Sequence, residues 1–163
     1  LGALVFYPLG ELFWGTIVIT LFVFSDLVDG IMAREAGTTG RWGSFLDSTL
    51  DRVQDAAVFL GVLWWGFGVG DNPTVGVLAA SCLALGMLVS YVRAKAEALG
   101  LTANVGIAER AERLVAALVL AGLTGRGLPP AFLAATLGLL AAASLVTVGQ
   151  RVAAVRSQTR RAA

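Results

Sequence analysis

The chain has 163 residues, of which 57% are hydrophobic and 14% charged, with a formal net charge of +1 and a mean hydropathy of +0.80. Soluble domains carry about a quarter charged residues, so this composition excludes an ordinary water-soluble protein and points to a membrane-embedded one with no nucleic-acid partner. Histidine is absent and Cys82 is the single cysteine, which excludes a Ser-His-Asp or Cys-His site and an intrachain disulfide, leaving proton chemistry mainly to carboxylates, lysine or tyrosine.

In chain order, Leu1 to Tyr7 reads as the end of a longer apolar helix. The first residue is not Met, so the chain is expected to start inside its first span, with that helix truncated. Pro8, Gly10 and Glu11 mark a turn, and Leu12 to Arg34 follows as a helix about 35 Å long. Glu35 to Trp42 is expected as a loop, because it holds two glycines and two threonines. The next helix runs from Gly43 or Ser44 to Trp65–Gly68, ahead of the turn Gly70-Asp71-Asn72-Pro73. Val75 to Glu97, Ile107 to Leu123 and Ala131 to Val152 are the remaining spans, the last opened by Pro129 and Pro130. The tail 156–163 is basic and polar, suited to anionic lipid or to solvent.

Continuous apolar runs without strand alternation select helices over a barrel. The expected fold is therefore an all-α integral membrane protein, a six-transmembrane-helix bundle formed by a single domain over 1–163. All basic residues except Arg126 fall in Arg34–Arg52, Arg93–Arg113 or Arg151–Arg161. If these segments alternate with the other loops, they share one side, which the positive-inside rule makes cytoplasmic.

Asp26 and Asp29 lie three residues apart on one helical face, and Asp47 and Asp51 lie four apart on the next helix. Two antiparallel helices joined by a short loop bring these acidic ends together. Four converging carboxylates repel one another near a membrane, so either a cation neutralises them or they pair with Arg34, Arg41 and Arg52 in a rim. Oxygen-only ligands favour hard ions, Mg²⁺ or Mn²⁺, and four negative charges balance two divalent ions. Such a pair can clamp phosphoryl oxygens. Gly30, Ala33 and Gly43 leave room for a ligand or a neighbouring helix. Asp55 extends the acidic face by one more turn, with Arg52 or a polar pocket as its partner. A cation path through a channel or transporter is the reading from another class, although its acids should spread through the bilayer, whereas these cluster at one end.

The pattern Asp26-x2-Asp29-Gly30-x2-Ala33-Arg34-x8-Gly43-x3-Asp47-x3-Asp51 resembles, at every position, the signature of the CDP-alcohol phosphotransferases. That resemblance implies transfer of a phosphoalcohol group from a CDP-linked donor to an alcohol, with release of CMP. It also implies metal ligation by Asp26, Asp29, Asp47 and Asp51, with Asp51 as the catalytic base. Asp29, Gly30, Ala33 and Arg34 match positions near the donor nucleotide, although Arg34 alone also reads as an interfacial snorkelling residue.

Arg93 and Lys95 close one span, while Arg110 and Arg113 open the next. This cluster can bind an anion by charge-assisted hydrogen bonds, or Glu109 and Arg113 can form a surface i, i+4 pair. The segments Tyr91–Glu97 and Gly106–Arg113 resemble those of actinobacterial phosphatidylinositol-phosphate synthases, and the resemblance extends through Arg151. It implies CDP-diacylglycerol as donor, inositol phosphate as acceptor, and acceptor-phosphate binding by Arg93, Lys95, Arg113, Arg151 and the neighbouring Arg110. It further implies a homodimer in a bacterial plasma membrane with a cytoplasmic active site. A phosphatidylglycerophosphate synthase, taking glycerol phosphate, is the alternative within the same chemistry.

Overall fold

The computed structural model describes residues 2–35, 40–107 and 109–162, with 24–35 and 162 described by their backbone alone. Six helices occur among the described residues: α1 Gly2–Phe6, α2 Leu12–Glu35, α3 Arg41–Phe67, α4 Pro73–Ala98, α5 Arg110–Thr124 and α6 Pro130–Ala162. The helical order follows the sequence reading, and local chemistry accounts for the boundaries. At α4 the Asn72 side chain accepts the Val75 amide at 3.2 Å and Pro73 occupies the first turn, where its missing N–H costs nothing.

Several boundaries differ from expectation: α3 starts at Arg41 rather than at Gly43 or Ser44, and α4 at Pro73 rather than at Val75. Helix α5 starts at Arg110 rather than near Ile107, because the Ile107 amide donates instead to Thr147 Oγ1 at 3.2 Å. The Glu112 side chain accepts the Glu109 amide at 3.2 Å, as the third residue of a capping box does. Helix α6 continues past Val152 to Ala162. No Gly or Pro interrupts 152–162, and the terminal arginines favour the negative end of the helix dipole.

Helix α4 packs most extensively, against α6 on one side and α3 on the other, while α1 lies between α2 and α3, and α5 bridges α2 and α6. Tyr7, Leu12, Val62, Val75, Cys82, Leu133 and Leu137 form the fully buried centre. Within it, the Tyr7 and Thr16 hydroxyls share a hydrogen bond of 2.8 Å, as buried polar groups require. Gly66 lets α3 meet α4 backbone to backbone: a Cβ there would stand 2.6 Å from the Gly76 nitrogen. Outside, Trp14, Phe22, Trp64, Phe67, Val77, Leu88, Phe132 and Leu139 are exposed. Among the described residues α4 and α6 are long and apolar enough to cross a membrane, and most of each apolar stretch faces away from the core.

Candidate active site

Helix α3 changes character along its length. Its first half carries Arg41, Asp47, Asp51, Arg52 and Asp55, and its second half, from Ala56, is apolar. The three aspartates repeat every four residues and therefore share one face. Burial increases inward along that face: Asp47 is exposed, the Asp51 side chain is 29% exposed, and Asp55 is 7% exposed.

Arg110, the first residue of α5, ties this face together. Its Nη1 lies 2.8 Å from Asp51 Oδ1, its Nε donates to Asp55 Oδ1 at 3.0 Å, and its Nη2 donates to the Asp51 carbonyl at 3.2 Å and to Gln54 Oε1 at 3.1 Å. Arg52 lies 3.8 Å from both Asp51 and Asp55, and donates to the Ser90 hydroxyl of α4. Asp55 thus has Arg52 as the sequence suggests, but Arg110 is the closer partner. Asp51 precedes the apolar run; burial pushes its carboxyl above the ordinary range, Arg110 opposes that shift and Asp47 adds to it.

The remaining expected cations separate into two groups. Arg93 and Lys95 are exposed, and Arg93 pairs with Glu97 at 2.9 Å. Arg113 is 2% exposed and lies against α4 where a Cβ at Gly86 would stand 3.4 Å from its Nη2. Arg113 is therefore no surface partner for Glu109. Arg151 is also buried, donating from Nε to the Val105 carbonyl at 2.9 Å and from Nη1 to the Val89 carbonyl at 2.7 Å. The structure thus brings Arg110 onto the acids, seats Arg113 between α3, α4 and α5, and makes Arg151 a link from α6 to α4 and the α4–α5 loop.

Asp26, Asp29, Gly30, Ala33 and Arg34 lie on the described backbone of α2, but their side chains lie outside the described residues. Among the described residues no three acids, histidines or cysteines form a metal cage. Asp47 and Asp51 nevertheless present oxygen ligands from one helix face, and Asp47 has no ion pair among the described residues. That donor chemistry fits a hard divalent cation completed by ligands from another helix. At Gly43 no described atom comes within 4 Å of where a Cβ would stand.

Sequence reasoning missed Gln54 and Ser90, and did not pair Arg110 with the acids. Gln54 and Ser90 carry no motif signal, and Arg110 meets Asp55 from 55 positions away, which no local spacing encodes.

A family model described as CDP-alcohol phosphatidyltransferase matches residues 1–149. A phosphatidylinositol phosphate synthase of Streptomyces avermitilis is 56% identical over 164 residues, covering 97% of this chain and 67% of that protein. One from Mycolicibacterium smegmatis is 47% identical over 162 residues, covering 96% and 72% respectively. The crystal structure of Mycobacterium tuberculosis phosphatidylinositol phosphate synthase with CDP-DAG bound is similar with a TM-score of 0.85 and 44% identity, covering 94% of this chain and 78% of that one. The same enzyme in complex with manganese and citrate also gives 0.85, at 42% identity, covering 94% and 75%.

Proposed function

Because this chain belongs to the CDP-alcohol phosphatidyltransferase family, we propose that it transfers the phosphatidyl group of CDP-diacylglycerol to inositol phosphate, giving phosphatidylinositol phosphate and CMP. The observation that carries this reading is the acid face of α3, Asp47 and Asp51, in a chain 56% identical to a phosphatidylinositol phosphate synthase. Family membership sets aside the channel reading.

Asp26, Asp29, Asp47 and Asp51 would hold two divalent ions, Mg²⁺ or Mn²⁺; the manganese complex of the mycobacterial enzyme supports the ion type. When bound, such ions supply charge neutralisation at the donor pyrophosphate. Asp29, Gly30, Ala33 and Arg34 would face the cytidine nucleotide. Asp51 accepts the proton of the inositol hydroxyl as its oxygen bonds to the lipid-linked phosphorus and the bond to CMP breaks. Arg93, Lys95, Arg113 and Arg151 would attract the acceptor phosphate. Arg110 belongs with them by position, although its guanidinium is engaged by Asp51, Gln54 and Asp55.

The wider reading is one transmembrane domain over 1–163 with six spans in a bacterial plasma membrane, its acid and basic ends cytoplasmic, working as a homodimer. The exposed apolar exterior supports embedding in lipid.

CMP release by membranes containing the protein, with labelled CDP-diacylglycerol and a panel of acceptors, tests the assignment. Inositol phosphate should be consumed in the presence of Mg²⁺ or Mn²⁺ and not with a chelator, while glycerol phosphate and free inositol should not be. A preference for glycerol phosphate would overturn the acceptor and favour phosphatidylglycerophosphate synthesis.

A further inference from the structure

The connection between α4 and α5, residues 99–109, lacks helix or strand at its described positions, yet it is tied to α6 at three places. Gln158 reads one loop residue completely: its Nε2 donates to the Thr102 carbonyl at 2.6 Å, and its Oε1 accepts the Thr102 amide at 3.0 Å and hydroxyl at 3.2 Å. Arg151 holds the Val105 carbonyl, and Thr147 accepts the Ile107 amide. Positions 147, 151 and 158 are separated by four and seven residues, so they form one stripe along α6. Gly106, with φ of 149°, fits the stripe because a Cβ there would overlap Thr147. Beside Thr102, Ala103 is wholly buried.

The two ends of this loop carry the cations assigned to the acceptor, Arg93 and Lys95 before it and Arg110 and Arg113 after it. Each peptide group pinned in mid-loop removes conformations in which those ends move independently. We propose that Gln158 is a positioning residue for the acceptor site, fixing through Thr102 the loop that sets the relative placement of the two cationic helix ends. This rests on the reading of inositol phosphate as acceptor. The donor positions lie on α2, whereas the loop is bound to α6, so the effect falls on acceptor binding. The terminal turns of α6 are accordingly part of the working site as well as a basic tail.

The test uses the full chain in detergent or membranes, with CMP release followed as each substrate is varied against the other at saturation. Gln158→Ala should raise KM for inositol phosphate ~3–10-fold, with the KM for CDP-diacylglycerol within about two-fold of wild type, as expected when acceptor-binding geometry is lost. Gln158→Glu should do the same, since a carboxylate can accept the Thr102 amide but cannot donate to its carbonyl. Thr102→Val, which loses only the hydroxyl contact, should keep a near-normal KM. Limited proteolysis between residues 99 and 109 should be faster in Gln158→Ala. An unchanged acceptor KM in Gln158→Ala, or equal rises for both substrates, overturns the positioning role. A wild-type protein that ignores inositol phosphate instead defeats the acceptor reading, and this role with it.

Discussion

Asp51 and Asp55 lie one turn apart on the same face of α3 and share Arg110, yet they differ in burial, and on the proposed function they would do different work. Asp51 is open enough to reach a substrate, so the loss of its carboxylate should be felt in chemistry. Asp51→Asn should lower kcat for CMP release by about 10²–10⁴-fold, the usual worth of a general base, with little change in thermal unfolding. Asp55 is 7% exposed, and its replacement leaves the Arg110 Nε facing a neutral amide. Asp55→Asn should destabilise the protein by about 1–3 kcal/mol, the cost of weakening a buried charged hydrogen bond, seen as a lower Tm in detergent. Equal effects of the two variants on Tm would defeat this division of roles. The shared face of Asp47 and Asp51 was legible because a fixed spacing within one helix survives translation into geometry, whereas the side chains of Asp26 and Asp29 lie outside the described residues. The pairing of Asp55 with Arg110 was not, because it depends on how α5 returns to α3.

Helix packing makes the same substitution act with opposite sign at different glycines. At Gly66 a methyl group would stand 2.6 Å from the Gly76 nitrogen and 3.0 Å from the Asn72 oxygen, and backbone cannot move aside as a side chain can. Gly66→Ala should therefore cost about 1–3 kcal/mol through overpacking. At Gly149 in α6 no described atom lies within 4 Å, so Gly149→Ala should gain helix propensity, about 1 kcal/mol at most. Thermal unfolding should shift down for the first and slightly up for the second; a stable Gly66→Ala protein would contradict the close α3–α4 contact. Both helices were legible from apolar runs and turn residues, although α4 starts at Pro73, two residues ahead of the expected Val75, because Asn72 caps it. The start of α5 and the end of α6 were not, because long-range hydrogen bonds to Thr147 and the plain continuity of good helix formers decided them.

At the scale of the whole molecule, the sequence makes a claim that helix packing alone does not: the basic segments share one side of a membrane. The ends of α3, α4, α5 and α6 carry Arg41, Lys95, Arg110 and Arg160, and the opposite ends carry the turns at Asp71 and Gly127. If the helices alternate across a membrane, these two sets lie apart, and on the proposed topology the positive-inside rule would face the basic set to the cytoplasm. The native thiol gives a clean background for testing this, because Cys82 is fully buried and should react slowly with a polar reagent. Single replacements Asp71→Cys, Gly127→Cys and Ser157→Cys would put thiols at exposed positions. A membrane-impermeant maleimide applied to intact spheroplasts should label the first two and spare the third until the membrane is opened. Labelling of Ser157→Cys in sealed cells would invert the topology and move the acid face, with the chemistry assigned to it, away from the compartment where a cytoplasmic nucleotide-linked donor is reached.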